Sequence, residues 1–112
     1  MPFEMDERSA RLAENETVFR AGNERIDAIF PIDSGTAPYM CECGNADCFE
    51  RVPLTHAEYE EVRSSPARFF VAPGHEDLSA GEIVVKDFGR YTIVEKQGAE
   101  GEIAARTDPR SA

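Results

Sequence analysis

The sequence predicts an α+β fold: a long N-terminal helix packed on a small antiparallel sheet, with a cysteine-bearing hairpin and a short second helix. Three observations predict it. Leu12, Phe19, Ile26 and Phe30 recur at spacings of seven and four, which places them along one helical stripe. After Pro31, short runs of β-branched and aromatic residues alternate with Gly- and Pro-containing turns, the pattern of short strands. The only three cysteines of the chain fall between Cys41 and Cys48, so one loop gathers them all.

A length of 112 residues suits a single domain spanning 1–112, with a helix over 6–30, an α+β core over 36–96 and a tail over 97–112. A core this modest gives a metal cross-link a large share in stability. A hydrophobic content of 41% excludes disorder of the whole chain. The formal net charge of -10 argues against sequence-independent binding to DNA, RNA or anionic lipid, because counterion release needs a basic face. The expected partner is a protein, basic or uncharged. No apolar run is long enough for a membrane span, and Met1-Pro2-Phe3-Glu4 lacks the regions of a signal peptide, so a cytoplasmic location is expected. Oligomeric state is not readable from the sequence.

Taken in order, Asp6 caps the first helix and Glu7 lies near its positive end, with the helix running to about Phe30. A coiled coil fits poorly, since the intermediate seam positions fall at Asn15 or Glu16 and at Gly22 or Asn23; a helix lying across a sheet fits better. Pro31 and Asp33-Ser34-Gly35-Thr36 end the helix. Tyr39-Met40 leads into the cysteines and Phe49 to Leu54 leads away, two strands of a hairpin in which Pro53 marks an edge. Thr55-His56-Ala57-Glu58 has the form of a capping box. It opens a helix to about Ser64, with Tyr59 and Val62 facing inward. Arg68 to Ala72 reads as a strand closed by the turn Pro73-Gly74-His75. Ile83-Val84-Val85 and Tyr91 to Val94 read as a hairpin joined through Asp87 to Arg90. From Gln97 the mixture of Gly, Ala and charge reads as a tail, with Thr107-Asp108-Pro109 unordered unless docked.

The cysteine loop, Cys41-Glu42-Cys43-Gly44-Asn45-Ala46-Asp47-Cys48, carries the chemistry. In a strand-like Cys-x-Cys both thiols point to one face, so Cys41 and Cys43 can share an ion that Cys48 then reaches. Gly44 and Asn45 supply tolerance of positive φ for a loop wrapped around a metal. Three thiolates and one imidazole suit zinc. The fourth ligand is one of two histidines. His75 follows a Pro-Gly turn and stands beside Glu76 and Asp77, which can hold its second ring nitrogen; His56 opens the helix after the hairpin. Geometry favours His75. A Cys41–Cys43 disulfide would be strained, and iron–sulfur clusters usually take four thiolates. A catalytic zinc requires that neither histidine reach the metal, with Asp47, Glu42 or Glu76 as base. The zinc-deaminase pattern is absent. Glu58-Tyr59-Glu60-Glu61 reads as a solvated helix face, and Phe69, Phe70 and Tyr91 as core.

Cys-Glu-Cys-Gly at 41–44, Phe49-Glu50, Leu54-Thr55, Glu58-Tyr59, Val62-Arg63, Arg68-Phe69, Val71-Ala72-Pro73-Gly74-His75, Arg90-Tyr91 and Val94-Glu95-Lys96, with Asn15-Glu16 and Asn23-Glu24-Arg25 in the helix, resemble a family of small actinobacterial proteins. The resemblance implies a zinc-ribbon-like Cys3His site in a cytoplasmic bacterial protein, supports His75 through its Pro-Gly-His pattern, and carries no activity. The expected function is a zinc-stabilised binding or regulatory module acting through protein–protein interaction, with Zn2+ held by Cys41, Cys43, Cys48 and His75. The alternatives are a thiol-based redox sensor that releases zinc on oxidation, and a small zinc hydrolase.

Overall fold

A computed structural model describes residues 7–31, 33, 35–78 and 81–110; the expected cap at Asp6 lies outside them. Helix α1 spans Glu7–Ile29. Strand β1 (Thr36–Met40) pairs antiparallel with β2 (Arg51–Thr55), with Tyr39 opposite Val52 and Ala37 opposite Leu54. Those four side chains are the buried ones of the hairpin, as a period of two requires. Pro38 sits opposite Pro53, and in a two-stranded sheet both strands are edges, where residues without a backbone donor are tolerated.

Helix α2 (His56–Val62) begins at the expected capping box: Glu58 N–H donates to Thr55 Oγ1 at 3.1 Å, and Thr55 N–H to Glu58 Oε1 at 2.8 Å. Strands β3 (Arg68–Val71), β4 (Glu82–Asp87) and β5 (Thr92–Lys96) form a second antiparallel sheet in the order β3-β5-β4. The two sheets meet through aromatic side chains. Tyr39 and Tyr59 stack with centroids 4.5 Å apart, and Phe70 stands edge-on to both at 6.4 Å. The segment after β1 runs along the free edge of β3, where Glu42 N–H donates to Phe70 O at 3.0 Å.

Two expectations need correction. The stretch read as a tail contains helix α3 (Gly98–Arg106), and the residues after it are tied down. Asp108 pairs with Arg63, and Arg110 bonds to both Glu24 and Glu60. A Cβ at Gly101 would lie 2.7 Å from Lys96 O; the glycine lets α3 lie close against the end of β5. The second correction concerns α1. Leu12, Phe19 and Ile26 are only half-buried and Phe30 is exposed, whereas Glu16, Arg20 and Asn23 are buried. The helix docks through polar groups. Arg20 donates to the carbonyls of Pro66 and Ala104, both at 2.6 Å, and Glu16 shares Lys96 with Glu82, each at 2.7 Å.

Candidate metal centre

The end of β1 and the turn after β3 bring Cys41, Cys43, Cys48 and His75 together, with one ligand atom from each within 4.8 Å of the others. His75 Nδ1 lies 3.6 Å from Cys41 Sγ and 3.5 Å from Cys48 Sγ. The histidine is placed by the turn Ala72-Pro73-Gly74-His75, closed by His75 N–H donating to Ala72 O at 3.0 Å, with Gly74 at φ 83°. Pro at the second and Gly at the third position are what such a turn favours. His56 goes elsewhere: its Nδ1 lies 2.9 Å from Asp27 Oδ1 and its Nε2 3.6 Å from Glu60 Oε1.

Each sulfur also meets one backbone N–H, that of Ala72 for Cys41, Asn45 for Cys43 and Glu50 for Cys48. Such donors stabilise thiolates. The thiols themselves divide unequally. The Cys41 thiol donates to Cys43, which pushes Cys41 up and holds Cys43 well below the usual thiol range, while burial pushes Cys48 up. Cys41 and Cys43 are buried and Cys48 is half-exposed.

In the loop, Gly44 has φ 80°, as a tight metal loop requires, whereas Asn45 does not adopt positive φ. Asn45 acts through its side chain, with Oδ1 accepting from Asp47 N–H at 2.9 Å, an Asx turn. Asp77, one of the two carboxylates expected beside the second histidine nitrogen, pairs with Arg8 at 2.7 Å.

Residues from α1 complete the surroundings. Asn15 Nδ2 donates to Gly44 O at 2.8 Å, and Asn23 Nδ2 donates to Met40 O and to Glu42 Oε2, each at 2.8 Å. Glu42, between two of the sulfur-bearing residues, is fully buried, and burial pushes its carboxyl up to about 7. Its oxygens accept from Asn23 and from Phe70 N–H, so it serves packing and is not free to act as a base. These helix residues carried no individual role in the sequence, although their spacing of eight puts Asn15 and Asn23 on one face.

No helix of the described residues is long and apolar enough to cross a membrane. The donor set of three sulfurs and one imidazole nitrogen is that of a site able to hold a soft metal ion. No family model, curated protein or solved structure matches the chain.

Proposed function

We propose that Cys41, Cys43, Cys48 and His75 bind one Zn2+ as a structural site, and that the zinc-stabilised domain is a binding module for another protein. The carrying observation is the nitrogen–sulfur spacing. Zn–S of about 2.3 Å and Zn–N of about 2.0 Å at a tetrahedral angle call for an S···N separation of about 3.5 Å, and the two observed values are 3.6 and 3.5 Å. Four protein donors fill a tetrahedral shell and leave no position for a reacting water, which favours a structural zinc over a hydrolytic one. The resemblance to small actinobacterial proteins supports the same ligand set, and a reducing cytoplasm would keep the thiols available.

The binding role is supported by large apolar side chains left in solvent. Phe49 is 86% exposed directly beside the metal loop, and Ile29 is 74% exposed at the end of α1. Aromatic residues of this kind are common anchors in interfaces. Metal analysis of protein purified under reducing conditions should give about one zinc per chain, falling below about a tenth in Cys41→Ser and His75→Ala. Zinc retained by both variants would refute the site. For the binding role, Phe49→Ala should lose the protein captured from the host by the zinc-loaded wild type.

A second reading, a redox sensor, draws support from Cys48, the half-exposed thiol, which lines an open cleft of about 460 Å³ together with Phe49 and His75. Peroxide should then release zinc while the domain stays folded. Release only alongside global unfolding would count against it.

A further inference from the structure

A cleft of about 640 Å³ lies against the Cys3His cluster. Its walls are the first turns of α1 with Arg8, Arg11 and Asn15, the loop from Cys43 to Ala46, and the stretch Gly74 to Asp77. We propose that this cleft binds a small organic carboxylate, held between the Arg11 guanidinium and the outer ring N–H of His75.

The inference rests on the metal reading. With Nδ1 turned to the sulfurs of Cys41 and Cys48 and bound to zinc, the neutral imidazole carries its proton on Nε2, and a metal-bound histidine normally donates that proton to an acceptor. Among the described residues Nε2 has no such acceptor. Asp77, the adjacent candidate, is taken by Arg8. Nor is Nε2 among the buried polar atoms without a partner; it is open to solvent, and His75 lines the cleft. Zinc on the far side of the ring makes this N–H a stronger donor.

Arg11 is the complement. Arg8 and Arg11 both line the cleft; Arg8 pairs with Asp77, whereas Arg11, exposed on the cleft wall, has no partner among the described residues. A guanidinium and an N–H facing one cavity suit an oxyanion. The remaining charges select its size and charge. Glu76 and Asp77 also line the cleft, and with Arg8 spent on Asp77 a dianionic phosphate would meet Glu76 uncompensated. A monoanionic carboxylate fits better.

The test follows the side-chain nitrogen resonances of His75 and Arg11 by NMR in zinc-loaded protein, titrated with benzoate, acetate, inorganic phosphate and chloride at constant ionic strength. Benzoate and acetate should shift both resonances saturably, and phosphate should bind at least about tenfold more weakly. Arg11→Gln, which touches no metal ligand, should keep its zinc and lose carboxylate affinity at least about tenfold. Glu76→Gln should keep its zinc and bind carboxylate more tightly. Full zinc content with no saturable shift, an equal response to chloride, tighter binding of phosphate, or an unchanged Arg11→Gln would overturn the cleft proposal alone. Absence of zinc from the wild-type protein would overturn the metal reading, and the cleft proposal with it.

Discussion

Gly44 and Gly74 flank the Cys3His cluster with nearly the same backbone, φ 80° and 83°, yet their surroundings differ. A Cβ at Gly44 would meet Glu16 Cγ at 2.9 Å and Leu12 O at 3.0 Å, whereas one at Gly74 would meet nothing within 4 Å. Gly74→Ala should therefore cost only the left-handed conformation, about 1 kcal/mol, and Gly44→Ala that cost plus a clash with α1, about 2–4 kcal/mol in all. Urea unfolding of the zinc-loaded variants measures both. Equal losses would show that the metal loop does not press on the helix. Asn23 offers a second probe, since it bonds to Met40 at both backbone groups and to buried Glu42. Asn23→Ala leaves a buried carboxylate short of a donor and should cost about 2–3 kcal/mol by the same measurement.

At the scale of elements, α1 shows what the sequence could and could not disclose. Its existence and length were legible, and so was the capped α2, because caps and breakers act on near neighbours. Its buried face was not. Burial of Glu16, Arg20 and Asn23 depends on Lys96, on the carbonyls of Pro66 and Ala104, and on Met40 and Glu42, partners remote in sequence that an apolar stripe does not signal. The same limit hid α3, whose Gly101 answers a contact with Lys96. The cysteine cluster was legible because its spacing is local, and the Pro73-Gly74 turn already favoured His75; that His56 pairs with Asp27 and Glu60 instead depends on partners remote in sequence. The polar docking of α1 also implies a pH dependence. One lysine serves two buried carboxylates, and burial raises Glu16 to about 8 from an ordinary 4.5. A raised acid binds its proton more tightly when folded, so its contribution is complete below about pH 4.5 and is lost as pH rises through about 8. Glu16→Gln should flatten this part of the profile and gain on the wild type by on the order of 1–3 kcal/mol between pH 5 and pH 8. Parallel wild-type and variant curves would rule out Glu16 as the source.

For the whole molecule, the Cys3His cluster joins the β1–β2 connection to the end of β3, two parts that also meet through Tyr39, Tyr59 and Phe70. Its sulfurs lie in the connection between β1 and β2, its nitrogen in the turn after β3, and the segment between Cys41 and Cys43 covers the β3 edge. Helix α1 in turn rests on that loop through Asn15 and Asn23, and Arg110 at the far end of the chain holds Glu24 of α1 to Glu60 of α2. A structural zinc contributes about 10 kcal/mol, comparable to the whole stability of a small domain. Removing it should thus act well beyond the loop. The β3-β5-β4 sheet keeps its own apolar support, with Phe69, Phe70, Ile93 and Val94 buried, whereas α1, whose Leu12, Phe19 and Ile26 are only half-buried, loses the footing of two asparagines. Chelation of zinc under reducing conditions should therefore lower Tm by more than about 10 °C. In hydrogen exchange, the amides of α1 should lose protection before those of β3 and β5. Readdition of zinc should restore both. If α1 stays protected in the chelated protein, its polar contacts with Lys96, Pro66 and Ala104 suffice to hold it, and the metal centre organises only its own loop.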